Sequence, residues 1–222
     1  MQPIKLLVFD LDGTLVDSLP DLHGALNRTF RALSLPEVTP RQVQIAIGDG
    51  ATILVQRLIP PESSPELLAQ ALELFRQEYD AHACEETFLY PGVLEFLDAL
   101  KTRPNAPRLA ILTNKPEAPS HLIAEHYGLK ERGIEWVIGG DTLPTRKPDP
   151  MGLRWIMEQA GVTPEETLMI GDGPADAGAA QNAGVPFAAL ECGYGDSLSV
   201  RAYPHVTLHT SFAEFAKAWL SS

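Results

Sequence analysis

Short apolar runs recur along the chain, each cut off by polar residues. The first, Ile4 to Phe9, stops at Asp10. Similar runs lie at Leu109–Leu112, Trp136–Ile138, Thr167–Ile170 and Pro186–Leu190, with a weaker one at His205–Leu208. Runs this short, without polar alternation, predict strands covered on both faces. Helical spacing fills the gaps. Pro91–Leu100 places Val93, Leu94, Leu97 and Leu100 on one side. Pro116–Tyr127 is followed by Gly128, and Pro174–Ala183 by Gly184, so Pro near the start and Gly just past the end frame two helices. Strand–helix alternation of this kind predicts an α/β fold, a parallel sheet with helices on both faces.

Residues 17–86 break the rhythm, with no comparable strand run. Leu22, Leu26, Phe30 and Leu33 share one helical face, and Val43–Ile59 and Leu67–Tyr79 also read as helices. A helical block interrupting a strand–helix alternation predicts an insertion. The expected division is an α/β core over 1–16 plus 90–222 and a helical cap over 17–89.

Composition narrows the partners. The 222 residues are 45% hydrophobic and 21% charged, enough for one sizeable core carrying a smaller insert. A net charge of −12 disfavours nucleic acid and anionic lipid as partners. A small phosphorylated metabolite remains possible, since local cations and a metal override the global sign. Cys84 and Cys192 show no metal or redox spacing and are expected as reduced thiols. The amino terminus lacks a secretory apolar region, and no apolar run approaches the ~20 residues that span a bilayer. A cytoplasmic protein is therefore expected.

In open α/β sheets, ligands bind beyond the carboxyl ends of the strands. There the chain places Asp10-Leu11-Asp12-Gly13-Thr14, then Thr113-Asn114-Lys115, then Gly171-Asp172-Gly173. A Lys147-Pro148-Asp149-Pro150 loop precedes the helix before the last of these. In a strictly extended chain Asp10 and Asp12 would point the same way. Close carboxylates repel unless a cation intervenes, and with Asp172 three acids would share one rim. A hard cation with oxygen ligands, Mg²⁺, suits them. Asp176, four residues past Asp172, should face the same side, although an acid there also suits a helix start. Each feature alone has a plainer reading: solvated turn acids, a common strand-end Thr, a solvated Lys. A calcium loop lacks its glutamate, since Asp21 stands in that place.

Taken together, in this order, the segments resemble the haloacid dehalogenase superfamily. Its four motifs correspond to Asp10-Leu11-Asp12-Gly13-Thr14-Leu15-Val16-Asp17-Ser18, to Leu112-Thr113-Asn114, to Lys147-Pro148 and to Gly171-Asp172-x-x-x-Asp176. The resemblance runs from Ile4 to about Tyr194. Asp17-Ser18-x-Pro20-Asp21-Leu22, Gly48-Asp49-Gly50, Thr113-Asn114-Lys115-Pro116, Gly139–Pro144 and Arg146–Pro150 are similar to the bacterial phosphoglycolate phosphatase branch. One departure is Gly173, where that branch usually has Ser.

The resemblance implies a Rossmann-like parallel-sheet core with an inserted helical cap, and a phosphatase acting through an aspartyl-phosphate. It implies Asp10 as nucleophile, Asp12 as general acid and base, and Lys147 as the cation stabilising the transferring group. Thr113, Asn114 and Lys147 would hold phosphate. Mg²⁺ would be held by the Asp10 carboxylate, the Asp12 backbone carbonyl and the Asp172 side chain, with Asp176 orienting Lys147 or a metal-bound water. The cap would close as a lid, with Arg41 and Arg57 as candidate cations for a substrate carboxylate. The leading substrate is 2-phosphoglycolate. A sugar-phosphate phosphatase or phosphomutase is the near alternative; a phospho-accepting regulatory domain, which needs no such insert, and a non-enzymatic binding protein are the distant ones. A monomer or homodimer is expected.

Overall fold

The computed structural model describes residues 3–195, 197–203 and 206–221. Strand β1 (Leu6–Phe9) leads through the two-residue β2 (Val16–Asp17) into helix α1 (Leu19–Ala32). Helices α2 (Pro40–Ala46), α3 (Ala51–Leu58) and α4 (Pro65–His82) follow, and β3 (Phe88–Leu89) brings the chain back. The remainder alternates: α5 (Val93–Lys101), β4 (Arg108–Leu112), α6 (Glu117–His126), β5 (Ile134–Ile138), α7 (Met151–Ala160), β6 (Thr167–Gly171), α8 (Pro174–Ala183) and β7 (Phe187–Leu190). A short α9 (Ser197–Val200), then β8 (Val206–His209) and α10 (Phe212–Leu220), complete it. Of the strand expected at His205–Leu208, His205 lies outside the described residues.

Six strands form one parallel sheet in the order β5-β4-β1-β6-β7-β8. β1 therefore sits between β4 and β6, and Asp10, Thr113 and Asp172 follow three adjacent strands. The four side chains of β1 are fully buried and alternate between two cores. Leu7 and Phe9 pack with Phe96, Phe212 and Phe215, whereas Leu6 and Val8 pack with Leu153, Ile156 and Ala177. Each such burial contributes about 1.5–3 kcal/mol. Covering on both faces is why these strands read as unbroken apolar runs.

Helices α1 to α4 enclose a third core around Leu26, Phe30, Val43, Val55 and Phe75. The single helix expected across 43–59 is in fact two. The chain breaks between Ala46 and Ala51, where Gly48 and Gly50 take φ of +124° and +86°, values an L side chain resists. Apolar residues on either side keep one period, which hid the break. The edges of the block pair as an antiparallel ribbon, Val16 opposite Leu89 and Asp17 opposite Phe88. Strands of two residues carry no readable period, so β2 and β3 were not expected.

Candidate active site

Asp10 follows β1, Asp172 follows β6, Asp176 lies in the first turn of α8, and Lys147 precedes α7. These four side chains converge. Lys147 Nζ is 2.8 Å from Asp10 Oδ1 and 2.6 Å from Asp176 Oδ1. The Leu11 N–H donates to Asp10 Oδ1 at 2.7 Å, and the Gly173 N–H donates to Asp176 Oδ2 at 3.0 Å. Asp172 Oδ2 accepts from the N–H groups of Tyr194 and Gly195 at 2.6 and 2.9 Å. One carboxylate oxygen from each of Asp10, Asp172 and Asp176 lies within 4.8 Å of the others.

Three carboxylates face one ammonium, and the imbalance shows in their titration. Burial first, then Asp176, pushes the Asp10 carboxyl above the usual range, and Lys147 only partly offsets this. Burial, Asp176 and Asp10 push Asp172 up in the same way, against the two N–H groups it accepts from. Burial pulls the Lys147 ammonium toward neutrality, but Asp10 and Asp176 outweigh it and hold the group charged. The cluster thus lacks positive charge, and every ligand atom it offers is a carboxylate oxygen. A divalent metal ion fits both facts.

Asp12 is not part of this cluster through its side chain. Its carboxylate lies 3.0 Å from Lys115 Nζ and accepts from Ser18 Oγ at 2.5 Å. Asp10, Asp12 and Asp172 share the rim and line one cavity, while Asp176, not the Asp12 side chain, joins Asp10 and Asp172 in the tight group. The extended alternation ends with β1 at Phe9. Beyond it the chain turns, with Gly13 at φ +80° and its N–H donating to Val16 O at 2.9 Å. A Cβ on Gly13 would collide with the Asp172 carboxylate, so the turn and the acid fit only because the side chain is absent.

Lys115 received no role from the sequence. Its side chain is 3% exposed. Burial opposes its charge, but Asp12 and Tyr79 outweigh that penalty and raise its pKa. The ammonium also sits 4.5 Å over the Tyr79 ring of α4. The available signal was a lysine directly after a strand-end Thr-Asn, on the rim that carries the aspartates.

Thr113 Oγ1 accepts from the Lys115 N–H at 3.2 Å. Asn114 Nδ2 donates to Gly48 O and to Lys147 O, both at 2.9 Å. Its side-chain donors are therefore engaged, whereas its buried Oδ1 has no hydrogen-bond partner among the described residues. A Cβ at Gly173 would lie 3.7 Å from Asp176 Oδ2, an ordinary contact, so a serine would fit there.

Between rim and helices lies a cavity of about 440 Å³. Asp10, Thr113 and Lys115 line it from the sheet; Phe75, Arg76 and Tyr79 line it from α4. Arg41 and Arg57 do not line it. Arg41 donates to Gln44 at 3.1 Å, and Arg57 pairs with Asp49 at 2.5 Å. Arg76 is the cation that the helices present to the cavity.

Both the sequence and the fold have known counterparts. The family described as haloacid dehalogenase-like hydrolase matches residues 4–184. The chain belongs to this family. This haloacid dehalogenase-like hydrolase is 42% identical over 207 residues to the phosphoglycolate phosphatase of Vibrio vulnificus (strain YJ016), covering 90% of each chain. It is 41% identical over 196 residues to phosphoglycolate phosphatase 1 of Pseudomonas aeruginosa, covering 86% of this chain and 70% of the other. Among solved structures, a Haemophilus somnus 129pt protein described as a "predicted phosphoglycolate phosphatase" superimposes with a TM-score of 0.90 at 32% identity, covering 99% of each chain. Among the described residues, no helix of the hydrolase is long and apolar enough to cross a membrane.

Proposed function

We propose that this hydrolase is a Mg²⁺-dependent phosphatase that cleaves 2-phosphoglycolate to glycolate and phosphate through a phosphorylated Asp10. The supporting observation is the buried Asp10–Lys147–Asp176–Asp172 cluster opening on a ligand-sized cavity, in a family whose relatives above carry that activity in their names.

Asp10 must attack as the carboxylate, a form that burial and Asp176 disfavour and Lys147 favours; its other difficulty is approaching a dianion. Lys147 lies 2.8 Å from Asp10 and reduces that repulsion. Asp10, Asp172 and the Asp12 backbone carbonyl would hold Mg²⁺, which would supply further charge neutralisation at the phosphoryl oxygens. An Asp10 oxygen forms the new P–O bond as the ester P–O bond breaks, and the leaving alkoxide takes its proton from Asp12. In the second half a water attacks phosphorus, Asp12 takes the water's proton, and Asp10 is released with inorganic phosphate. Ser18 and Lys115 fix the orientation of the Asp12 carboxyl for both proton transfers. The Thr113 hydroxyl and the Asn114 N–H donate to phosphate oxygens. Asp176 holds Lys147 toward Asp10.

Residues 1–16 plus 90–222 act as the catalytic core and 17–89 as a cap that closes over the cavity and excludes water. Arg76 meets the substrate carboxylate. The test is a phosphate-release panel of 2-phosphoglycolate, hexose phosphates and amino-sugar phosphates, with Mg²⁺ and with chelator. Phosphoglycolate should show the highest kcat/KM, and chelator should silence every reaction. A sugar phosphate in first place would overturn the substrate, and chelator-resistant turnover would overturn the metal.

A further inference from the structure

The chain passes from sheet to helical block at β2, directly ahead of α1. That helix starts without its own cap. Ser18 stands at the N-cap position, but its hydroxyl donates to Asp12 and caps no backbone group. Tyr194, at the far end of the sequence, satisfies the Ser18 N–H and shares the Leu19 N–H, which also donates to Asp17 Oδ1 at 3.1 Å. Tyr194 Oη accepts from Ser18 N at 2.8 Å and from Leu19 N at 3.0 Å, and it donates to Asp17 Oδ1 at 2.6 Å. A hydroxyl offers one donor and two acceptor sites, and here all three are filled. The backbone of the same residue reaches the reacting cluster, its N–H donating to Asp172 Oδ2 at 2.6 Å.

We propose that Tyr194 is a positioning residue: its hydroxyl clasps the Asp17–Leu19 hinge to the loop that fixes Asp172. The seat of the helical block and the orientation of that carboxylate are thereby set by one residue. This rests on reading the block as a cap. The hydroxyl carries the clasp and the main-chain N–H carries the contact to Asp172, so the two are separable. Tyr194→Phe removes the first and keeps the second.

The experiment measures three quantities on Tyr194→Phe: amide exchange at Ser18 and Leu19, kcat/KM with the fastest phosphomonoester of the panel, and apparent Mg²⁺ affinity. The amides of Leu7 and Val8, in the core of the sheet, report that the variant is folded. Tyr90→Phe is the control, since Tyr90 Oη donates to Cys192 O at 3.3 Å nearby without touching the hinge. Exchange at Ser18 should rise about 10-fold, exchange at Leu19 should rise less because Asp17 Oδ1 still accepts its N–H, and kcat/KM should fall about 10-fold, the worth of one buried hydrogen bond. Mg²⁺ affinity should hold, and Tyr90→Phe should behave as wild type. Unchanged exchange overturns the clasp. Faster exchange with unchanged kcat/KM overturns the positioning role. Loss of Mg²⁺ affinity in parallel with kcat/KM, or equal losses in Tyr90→Phe, would trace the effect to Asp172 or to general loosening and overturn it as well. A wild type inactive on every phosphomonoester overturns the proposed function, and exchange at the two amides then decides the clasp alone. If Tyr194→Phe does not fold, Asp17→Ala, which removes the acceptor of the Tyr194 hydroxyl, carries the same measurements with Ser18 alone as the exchange probe, since Asp17 Oδ1 also accepts from the Leu19 N–H.

Discussion

The sheet and the helical block are held in different ways. β1 lies between two apolar layers, with none of its four side chains reaching solvent. The block has one core of its own, and its ties to the sheet are largely directional. Within the block, Asp21 closes its two ends, accepting from the Glu86 N–H at 2.9 Å, from the Thr87 N–H at 2.9 Å and from Thr87 Oγ1 at 2.6 Å. Asn114 reaches Gly48, Lys115 sits over Tyr79, and Tyr194 holds the start of α1. Close packing keeps Asp10 and Asp172 within fractions of an ångström, as reaction geometry demands. A few polar bonds can break and reform, as a moving cover demands.

The largest expected effect lies on the rigid side. Asp10→Asn should lower phosphate release by roughly 10⁴-fold or more, because an amide cannot replace the nucleophile. It should not lower the melting temperature, since it removes one of three crowded carboxylates. Near-native turnover would reject Asp10 as the nucleophile. Metal addition comes next. Saturating Mg²⁺, at about 100 times its Kd, should stabilise the chelator-treated protein by about 2.7 kcal/mol, and Asp172→Asn should erase most of that shift. A thermal melt reads both, and an equal shift in Asp172→Asn would place the ion elsewhere.

On the movable side, Asp21→Ala strands buried donors of the Glu86–Thr87 segment. It should cost about 3 kcal/mol in a denaturant melt, with proteolysis starting in the block. Cleavage starting in the sheet would blur the contrast between the two regions. Arg76→Ala should raise KM for 2-phosphoglycolate about 10-fold with little change in kcat, as loss of a charge-assisted bond to the bound carboxylate. An unchanged KM would release Arg76 from that role. Smallest of all, Arg57→Ala should shift stability by no more than about 0.5 kcal/mol and leave KM alone, because its pair with Asp49 is open to solvent.

Much of the sheet was legible because burial on both faces leaves an unbroken apolar signature. The run at Thr167–Ile170 became β6 with one residue added, and the Pro174–Ala183 helix matched α8. Strand-end placement then brought Asp10, Lys147, Asp172 and Asp176 to one point. Legibility failed where geometry left the regular periods. Asp12 was expected beside Asp10, but the turn at Gly13 sends its carboxylate to Lys115. Lys115 and Tyr194 act through long-range contacts, and a pairing across 176 positions leaves no trace in local spacing. Arg76 was missed for a related reason: periodicity places it on α4 but does not say which face the cavity will meet.

Asn114 has a consequence for anyone recombining such enzymes. One amide group holds Gly48 O and Lys147 O together, so a main-chain carbonyl of the insert is wired to the loop bearing the Lys147 ammonium. A chimera that grafts a foreign insert between the same splice points inherits the loop but not the carbonyl. Unless the donor sequence bends at the same place, the transplanted piece would fold and still leave Asn114 reaching for an acceptor that is no longer there.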